Sequence, residues 1–224
     1  MSPTTIRRWQ AGTVAIAPVL LLAAFLWHPY LPGRLPNDEV VAAAVRAGTM
    51  RWALAHLTTA AASGVLVLAF LAIRSSLRDA GEDRWSAMGL PFIVMGSTLF
   101  TLLPGMEFVP LAAVLTGGDP EAAQAALQGW FVPILLLGAI TFTVGAAAFA
   151  RGVLRSAILP KDLTRVVVVA LVVMGLSRAV PLVAVQFYVQ GLAALVALWP
   201  LAAAIAQRAP GTLPSGQRTT IPAT

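Results

Sequence analysis

The chain has 224 residues, of which 58% are hydrophobic and only 11% are charged, and its formal net charge is +6. An average soluble domain is about 25% charged, and a soluble protein must cover a large surface with polar groups. This composition excludes a water-soluble globular enzyme and a disordered chain, and it predicts an integral membrane protein. In so apolar a chain the cations indicate topology, and nucleic acid is not an expected partner.

Six apolar segments approach the roughly 20 helical residues that cross a hydrocarbon core about 30 Å thick. They are residues 11–28, 52–73, 86–103, 130–150, 165–180 and 182–206. The predicted fold class is therefore all-α, a polytopic bundle of six transmembrane helices. The predicted division is a cytoplasmic N-terminus at 1–10, a transmembrane domain at 11–206 and a disordered cytoplasmic tail at 207–224.

Charged residues lie almost wholly between these segments and indicate their orientation. The connection 104–129 has no Lys or Arg but holds Glu107, Asp119 and Glu121, whereas cations cluster in the alternate connections. By the positive-inside rule both termini are cytoplasmic. We expect a bacterial inner membrane protein whose first partner is the lipid bilayer, with a homo-oligomer or a membrane partner protein as further candidates.

Two short helices are predicted in the connections assigned to the outer side. Asn37 caps the first, over 38–47, which ends at Gly48. Asp119, followed by proline and glutamate, begins the second, over 120–128, which leads toward the fourth span. Both helices would lie on the outer surface or shield a cavity beneath it.

Small residues recur within the spans and predict places where helices pack closely. The pairs are Ala60/Gly64, Gly89/Gly96 and Gly138/Gly145. Small side chains let helix backbones approach each other in a membrane. A compact bundle is the simpler interpretation, and a homo-oligomer face is the alternative.

Ionisable residues near the membrane are the strongest functional clues, because burying them is costly unless they are paired or hydrated. His28 ends the first span, His56 lies one turn inward from Trp52, and Glu107 follows the third span. Helix length places all three at similar depth near the outer face. Two imidazoles and a carboxylate are the ligand set of many metal sites, and two imidazoles can hold a haem. A metal or a haem is therefore the cofactor hypothesis, although each residue also has an ordinary structural role.

A second polar group lies on the last predicted hairpin. Arg178 occupies the short turn between the last two spans, and Gln186 and Gln190 lie four residues apart on one helix face. Hydrogen bonding between helices is one interpretation. The other is a polar vestibule, with Thr101 in its wall and with Arg178 either as a charge at its mouth or as a partner for Glu107.

Three features of the spans and their connections support a family resemblance. Arg51 enters the second span after a short helix, a basic connection follows the fourth span, and an Ile-Leu-Pro turn at 158–160 precedes the fifth. In these features residues 10–206 resemble an uncharacterised family of six-span bacterial membrane proteins that carry a domain of unknown function. The resemblance implies the six-span fold and supplies no catalytic residues.

The sequence carries no signature of catalysis. No span has a charged residue near its centre, and there is no Walker loop or HExxH motif. The leading functional prediction is non-enzymatic binding of a small apolar or amphiphilic ligand, or of a membrane partner. The alternatives are a channel or passive transporter through the vestibule, and a metal- or haem-binding protein that uses His28, His56 and Glu107.

Overall fold

The computed structural model describes residues 2–207, and these form an all-helical bundle without a β-strand. The helices are α1 (Pro3–Trp27), α2 (Asp38–Ala47), α3 (Thr49–Asp79), α4 (Arg84–Met106), α5 (Phe108–Leu115), α6 (Pro120–Ser156), α7 (Lys161–Leu176) and α8 (Gln190–Gln207). A 3₁₀ turn over Ser177–Ala179 follows α7, and a π-helix over Ala184–Val189 leads into α8. The disordered tail predicted beyond Gln207 lies outside the described residues.

Five helical segments are long and apolar enough to cross a membrane. They are Pro3–Trp27, Thr49–Asp79, Arg84–Leu115, Pro120–Ser156 and Ala184–Gln207. Large apolar side chains such as Leu68, Ile140 and Val169 are exposed on the outside of the bundle, where a bilayer would cover them. The chain is thus a multi-pass membrane protein, and five of the six predicted spans correspond to such segments. The predicted fifth span corresponds to α7, which has only 16 residues.

Helix ends differ from the predicted spans because local capping, not hydropathy, decides where a helix begins. α1 starts at Pro3, with the Ser2 side chain accepting a hydrogen bond from the amide of Thr5, so most of the predicted N-terminal extension is helical. Residues 120–128 are the first turns of α6 and not a separate surface helix. No break follows them, and α6 continues to Ser156, where it is ended by Ala157, which has a left-handed backbone with φ 50°.

α6 is long enough to project beyond the rest of the bundle. Its 37 residues extend about 56 Å, against a hydrocarbon core of about 30 Å. α2 and α5 pack against the first turns of α6, where Gln128 donates to the Asp38 carboxylate and Arg46 pairs with Asp119. α2 has the predicted bounds, and the Asn37 side chain accepts from the amide of Val40 at 3.1 Å. α2, α5 and the start of α6 together cover one end of the bundle.

The centre of the bundle is an apolar core in which α4 and α6 come very close. Phe70, Phe142 and Phe149 are fully buried, and the Phe70 ring meets the other two at centroid distances of 6.0 and 4.8 Å. A Cβ at Gly96 would lie 2.5 Å from the backbone nitrogen of Phe142. Of the residues predicted to mark packing faces, Gly89, Gly96, Gly138 and Gly145 lie at this contact, whereas Gly64 has no neighbour within 4 Å of such a Cβ.

Candidate functional site

A cavity lies under the covered end of the bundle, and we call it the end cavity. Its walls come from the ends of α1, α3, α4 and α6, the loop before α2, α2 itself and the π-helix. The lining residues are His28, Leu31, Leu35, Pro36, Asn37, Val41, Trp52, His56, Thr59, Phe100, Leu103, Pro104, Glu107, Gln124, Phe131, Leu135, Gln186 and Phe187. The three residues predicted to meet as metal ligands therefore line one cavity, as helix-length arithmetic indicated.

His28 and His56 are held against each other by their own backbones. The Nδ1 atom of His28 lies 2.7 Å from the carbonyl oxygen of Pro29, and that of His56 lies 2.7 Å from the carbonyl oxygen of Trp52. The two Nε2 atoms are 3.3 Å apart, and the ring centroids are 4.8 Å apart. Trp52 and Phe187 pack around the pair, with the Trp52 centroid 4.4 Å from that of His56 and the Phe187 centroid 4.9 Å from that of His28.

Glu107 is buried in the wall of the same cavity, although it falls at the junction between α4 and α5. Its side chain is held by Gln124, whose Nε2 donates to Glu107 Oε1 at 3.3 Å. Its backbone carbonyl accepts a hydrogen bond from Trp52 Nε1 at 2.9 Å. The indole thus connects α3 to the α4–α5 junction and places the imidazoles and the carboxylate around the same space.

The buried polar atoms that lack a partner in the end cavity are acceptors. Glu107 Oε2 and Gln124 Oε1 are buried and receive no hydrogen bond from another protein group. Two amide nitrogens nearby donate elsewhere: Gln124 Nε2 donates to Glu107 Oε1, and Gln186 Nε2 donates to the carbonyl of Arg178. Unpaired buried acceptors are costly unless a donor or a cation reaches them. The lining therefore favours a positively charged or hydrogen-bond-donating ligand.

The end cavity is small. Its volume is about 70 Å³, counted as the space that the centre of a water molecule can reach. One water needs about 10–15 Å³ on this measure, so the cavity has room for a few waters or one small solute. A lipid-sized ligand does not fit into it.

The structure corrects the three-ligand version of the predicted metal site. Within residues 2–207 no group of three His, Cys, Asp or Glu side chains is placed to hold one metal ion. Glu107 therefore shares the cavity with His28 and His56 without joining them as a direct ligand.

The haem version of the predicted site fails for a different reason. Axial ligands must lie on opposite faces of a porphyrin, and two Nε2 atoms 3.3 Å apart leave no room for the macrocycle between them.

Arg178 does not lie at the mouth of a vestibule, which was one of the two interpretations of the sequence, because its side chain is fully buried. With the Gln190 amide oriented to satisfy its neighbours, the Gln190 oxygen accepts from Arg178 Nε at 3.0 Å and from Nη2 at 3.1 Å. The guanidinium carbon lies 3.5 Å from the ring centroid of Phe142 and 4.4 Å from that of Phe100. These contacts are stabilising cation–π geometry, and they make Arg178 a packing residue.

The four residues of the predicted vestibule separate in the structure. Gln186 lines the end cavity. Gln190 is occupied by Arg178 and by the carbonyl oxygen of Gln186, and the Thr101 hydroxyl donates to the carbonyl of Ser97 on its own helix. The interpretation as interhelical hydrogen bonding therefore describes Arg178 and Gln190, while Gln186 belongs to the cavity.

Sequence reasoning missed three residues of the end cavity. Trp52 entered only as a reference for the position of His56 but is fully buried, and Gln124 and Phe187 drew no interpretation. One signal for Gln124 was present, because Gln124 and Gln128 stand four residues apart on one helix face. The π-helix that brings Gln186 and Phe187 to the cavity has no such signal, and π-helical turns often occur at functional sites.

Comparison of the chain with models of protein families, with curated proteins and with solved structures gave no match.

Proposed function

We propose that this chain is a non-enzymatic ligand-binding protein of the bacterial inner membrane, and that its end cavity binds a small cation or a small solute carrying a cationic hydrogen-bond donor. The observation that carries the proposal is the pair of buried oxygens, Glu107 Oε2 and Gln124 Oε1, which receive no hydrogen bond. A carboxylate buried in this way is stabilised when a cation enters its cavity.

The cavity also limits the ligand that composition alone suggested. Its walls are largely apolar, with Leu103, Phe131 and Leu135 among them, but its volume is about 70 Å³. The apolar or amphiphilic ligand predicted from composition must therefore be small, such as an ammonium group that carries a methyl group. The channel hypothesis has less support, because Arg178 and Gln190 are engaged with each other.

For the membrane topology we propose six spans, with α7 as the fifth, and both termini in the cytoplasm. α7 and the 3₁₀ turn after it comprise 16 and 3 residues, which together extend about 30 Å, the thickness of a hydrocarbon core. α7 packs between α6 and α8, and its exposed residues Val166 and Val169 are apolar. The end cavity then lies at the outer side of the membrane.

The test measures the unfolding midpoint of the purified full-length protein in lipid nanodiscs as methylammonium chloride is added. Sodium chloride at equal concentration controls for ionic strength. A ligand that binds only the folded state stabilises it by about 1.4 kcal/mol at ten times its Kd, so the midpoint should keep rising with the logarithm of the methylammonium concentration. Glu107→Gln keeps the shape of the side chain and removes its charge, and it should abolish the rise.

Glu39→Gln is the matched control, because Glu39 is an exposed carboxylate on α2. This variant should respond to methylammonium as the unsubstituted protein does. Binding of a cationic solute is contradicted if methylammonium and sodium give the same midpoints, or if Glu107→Gln responds as strongly as the unsubstituted protein.

A further inference from the structure

The two imidazoles of the end cavity are arranged in a way that ordinary packing does not require. A carbonyl oxygen only accepts hydrogen bonds, so the contacts of 2.7 Å to Pro29 and Trp52 assign a proton to Nδ1 of both His28 and His56. In neutral rings of this tautomer, each Nε2 carries a lone pair. These two lone pairs meet across 3.3 Å, an arrangement that repels unless a positive species lies between them.

We propose that His28 and His56 together bind a divalent transition-metal ion through their Nε2 atoms. Bonds of about 2.0–2.1 Å at a tetrahedral angle place two ligand nitrogens about 3.3–3.4 Å apart, and the observed separation is 3.3 Å. Metal-bound imidazoles commonly donate their other N–H to a backbone carbonyl, as both rings do here. Imidazole suits zinc, copper, iron and nickel.

The rest of the coordination sphere would come from water. The cavity volume of about 70 Å³ has room for the waters that complete a four-coordinate ion. Glu107 lines the same cavity, and its Oε2 receives no hydrogen bond from the protein. This oxygen would accept a hydrogen bond from a metal-bound water. The negative charge of Glu107 offsets part of the charge of the ion. The result is an open site with two protein ligands and one supporting carboxylate.

This inference deepens the proposed function, because it names a metal ion as the cation that the end cavity takes. The chain is well suited to a test, since it contains only two histidines and no cysteine. Histidine labelled with ¹⁵N therefore reports on these two rings alone, provided that the affinity tag used in purification contains no histidine.

The experiment adds Zn²⁺ to the chelator-treated full-length protein and follows the ring nitrogens by NMR and the heat of binding by calorimetry. We expect one equivalent of Zn²⁺ to shift both Nε2 resonances while both Nδ1 atoms stay protonated. If the Nε2 resonances instead show one proton shared by the two rings, and one equivalent of Zn²⁺ leaves them unchanged, the inference is overturned.

Variants separate the ligands from their surroundings. His28→Gln and His56→Gln each remove one of the two direct ligands. Each should weaken Zn²⁺ binding more than the loss of a residue that only hydrogen-bonds to a ligand, which typically costs about 10–100-fold in affinity. Glu107→Gln should weaken it about 10-fold, and Glu39→Gln should leave it unchanged. Zn²⁺ binding that survives either histidine substitution contradicts the inference. Should a histidine variant not fold, the ¹⁵N spectrum of the unsubstituted protein decides.

The outcome also distinguishes the two proposals. A protein that is stabilised by methylammonium but does not bind Zn²⁺ overturns the metal site and leaves the proposed function intact. A protein that binds Zn²⁺ but not methylammonium supports the metal site and restricts the proposed ligand to a metal ion. A protein that responds to neither contradicts both.

Discussion

Arg178 and Glu107 are ionisable side chains buried in this bundle, and each is held without a partner of opposite charge. Arg178 and Glu107 form no ion pair with each other or with other residues of the described range 2–207. Glu107 is bound by Gln124, and Arg178 is bound by Gln190 and lies over two phenylalanine rings. An uncompensated charge in such surroundings is retained at a cost in stability. Glu107 borders a cavity, so a cation can offset its charge, whereas Arg178 is enclosed by packing.

The role of Arg178 as a packing residue leads to a prediction. Arg178→Lys keeps the charge but loses the two-pronged contact with Gln190 and the flat face over Phe142, so it is not a conservative change. We expect a loss of about 1–3 kcal/mol in the free energy of unfolding. The measurement is thermal or denaturant unfolding in detergent.

Arg155→Lys is the control for this prediction, because Arg155 is exposed at the end of α6. Its effect should stay within about 0.5 kcal/mol. Equal stability of the two lysine variants would mean that the guanidinium contacts of Arg178 contribute nothing.

At the scale of the helices, close packing of α4 on α6 holds the wall of the end cavity in place. Gly96 and Gly145 let the two backbones touch, since a Cβ at Gly145 would lie 2.8 Å from the backbone nitrogen of Ile93. Phe100 on α4, Glu107 directly after α4 and Gln124 on α6 reach the cavity from this pair of helices. The position of Gln124 relative to Glu107 therefore depends on the contact of small residues in the middle of the bundle.

A pair of matched substitutions tests this helix contact. Gly96→Ala forces the backbones of α4 and α6 apart, since its Cβ would lie 2.5 Å from Phe142 nitrogen, and we expect a loss of about 1–3 kcal/mol in the free energy of unfolding. Gly64→Ala places the same methyl group in open space on α3, so it should be neutral or slightly stabilising. Unfolding midpoints of the two variants provide the measurement, and similar losses in both would contradict the contact.

For the whole molecule, the number of spans decides on which side the two termini lie. Five segments meet the length and apolarity needed to cross a membrane, which would place the ends of the chain on opposite sides. With α7 as a further span, the ends of α6 and α8 lie on the same side. The path of α7 through the bilayer is therefore the feature that a topology experiment has to test.

Introduced cysteines make this test direct, because the chain has none of its own. In intact cells an impermeant maleimide should label Leu115→Cys, in the connection assigned to the outer side. Ser156→Cys and Gln207→Cys should react only after the membrane is permeabilised. Two spans, α7 and α8, separate these positions, so both lie on the cytoplasmic side. Labelling of the cysteine at 207 in intact cells, with protection of that at 156, would show that α7 does not cross.

The sequence by itself determined that this is an all-helical, multi-pass membrane protein, because the bilayer requires long apolar helices and that requirement is visible in composition and hydropathy. It also indicated the bounds of α2, since the cap at Asn37 and the glycine at position 48 are local signals. The similar depth of His28, His56 and Glu107 followed from helix lengths alone.

Only the tertiary structure decided which of these residues face one another. Helix length sets the depth of a residue but not the rotation of its helix or the identity of its neighbours. For this reason the sequence did not place the two Nε2 atoms at 3.3 Å, keep Glu107 out of direct ligation or bury Trp52 and Arg178. Those outcomes depend on packing between helices far apart in the chain, and in a membrane that packing is set by shape and hydrogen bonding more than by hydrophobicity.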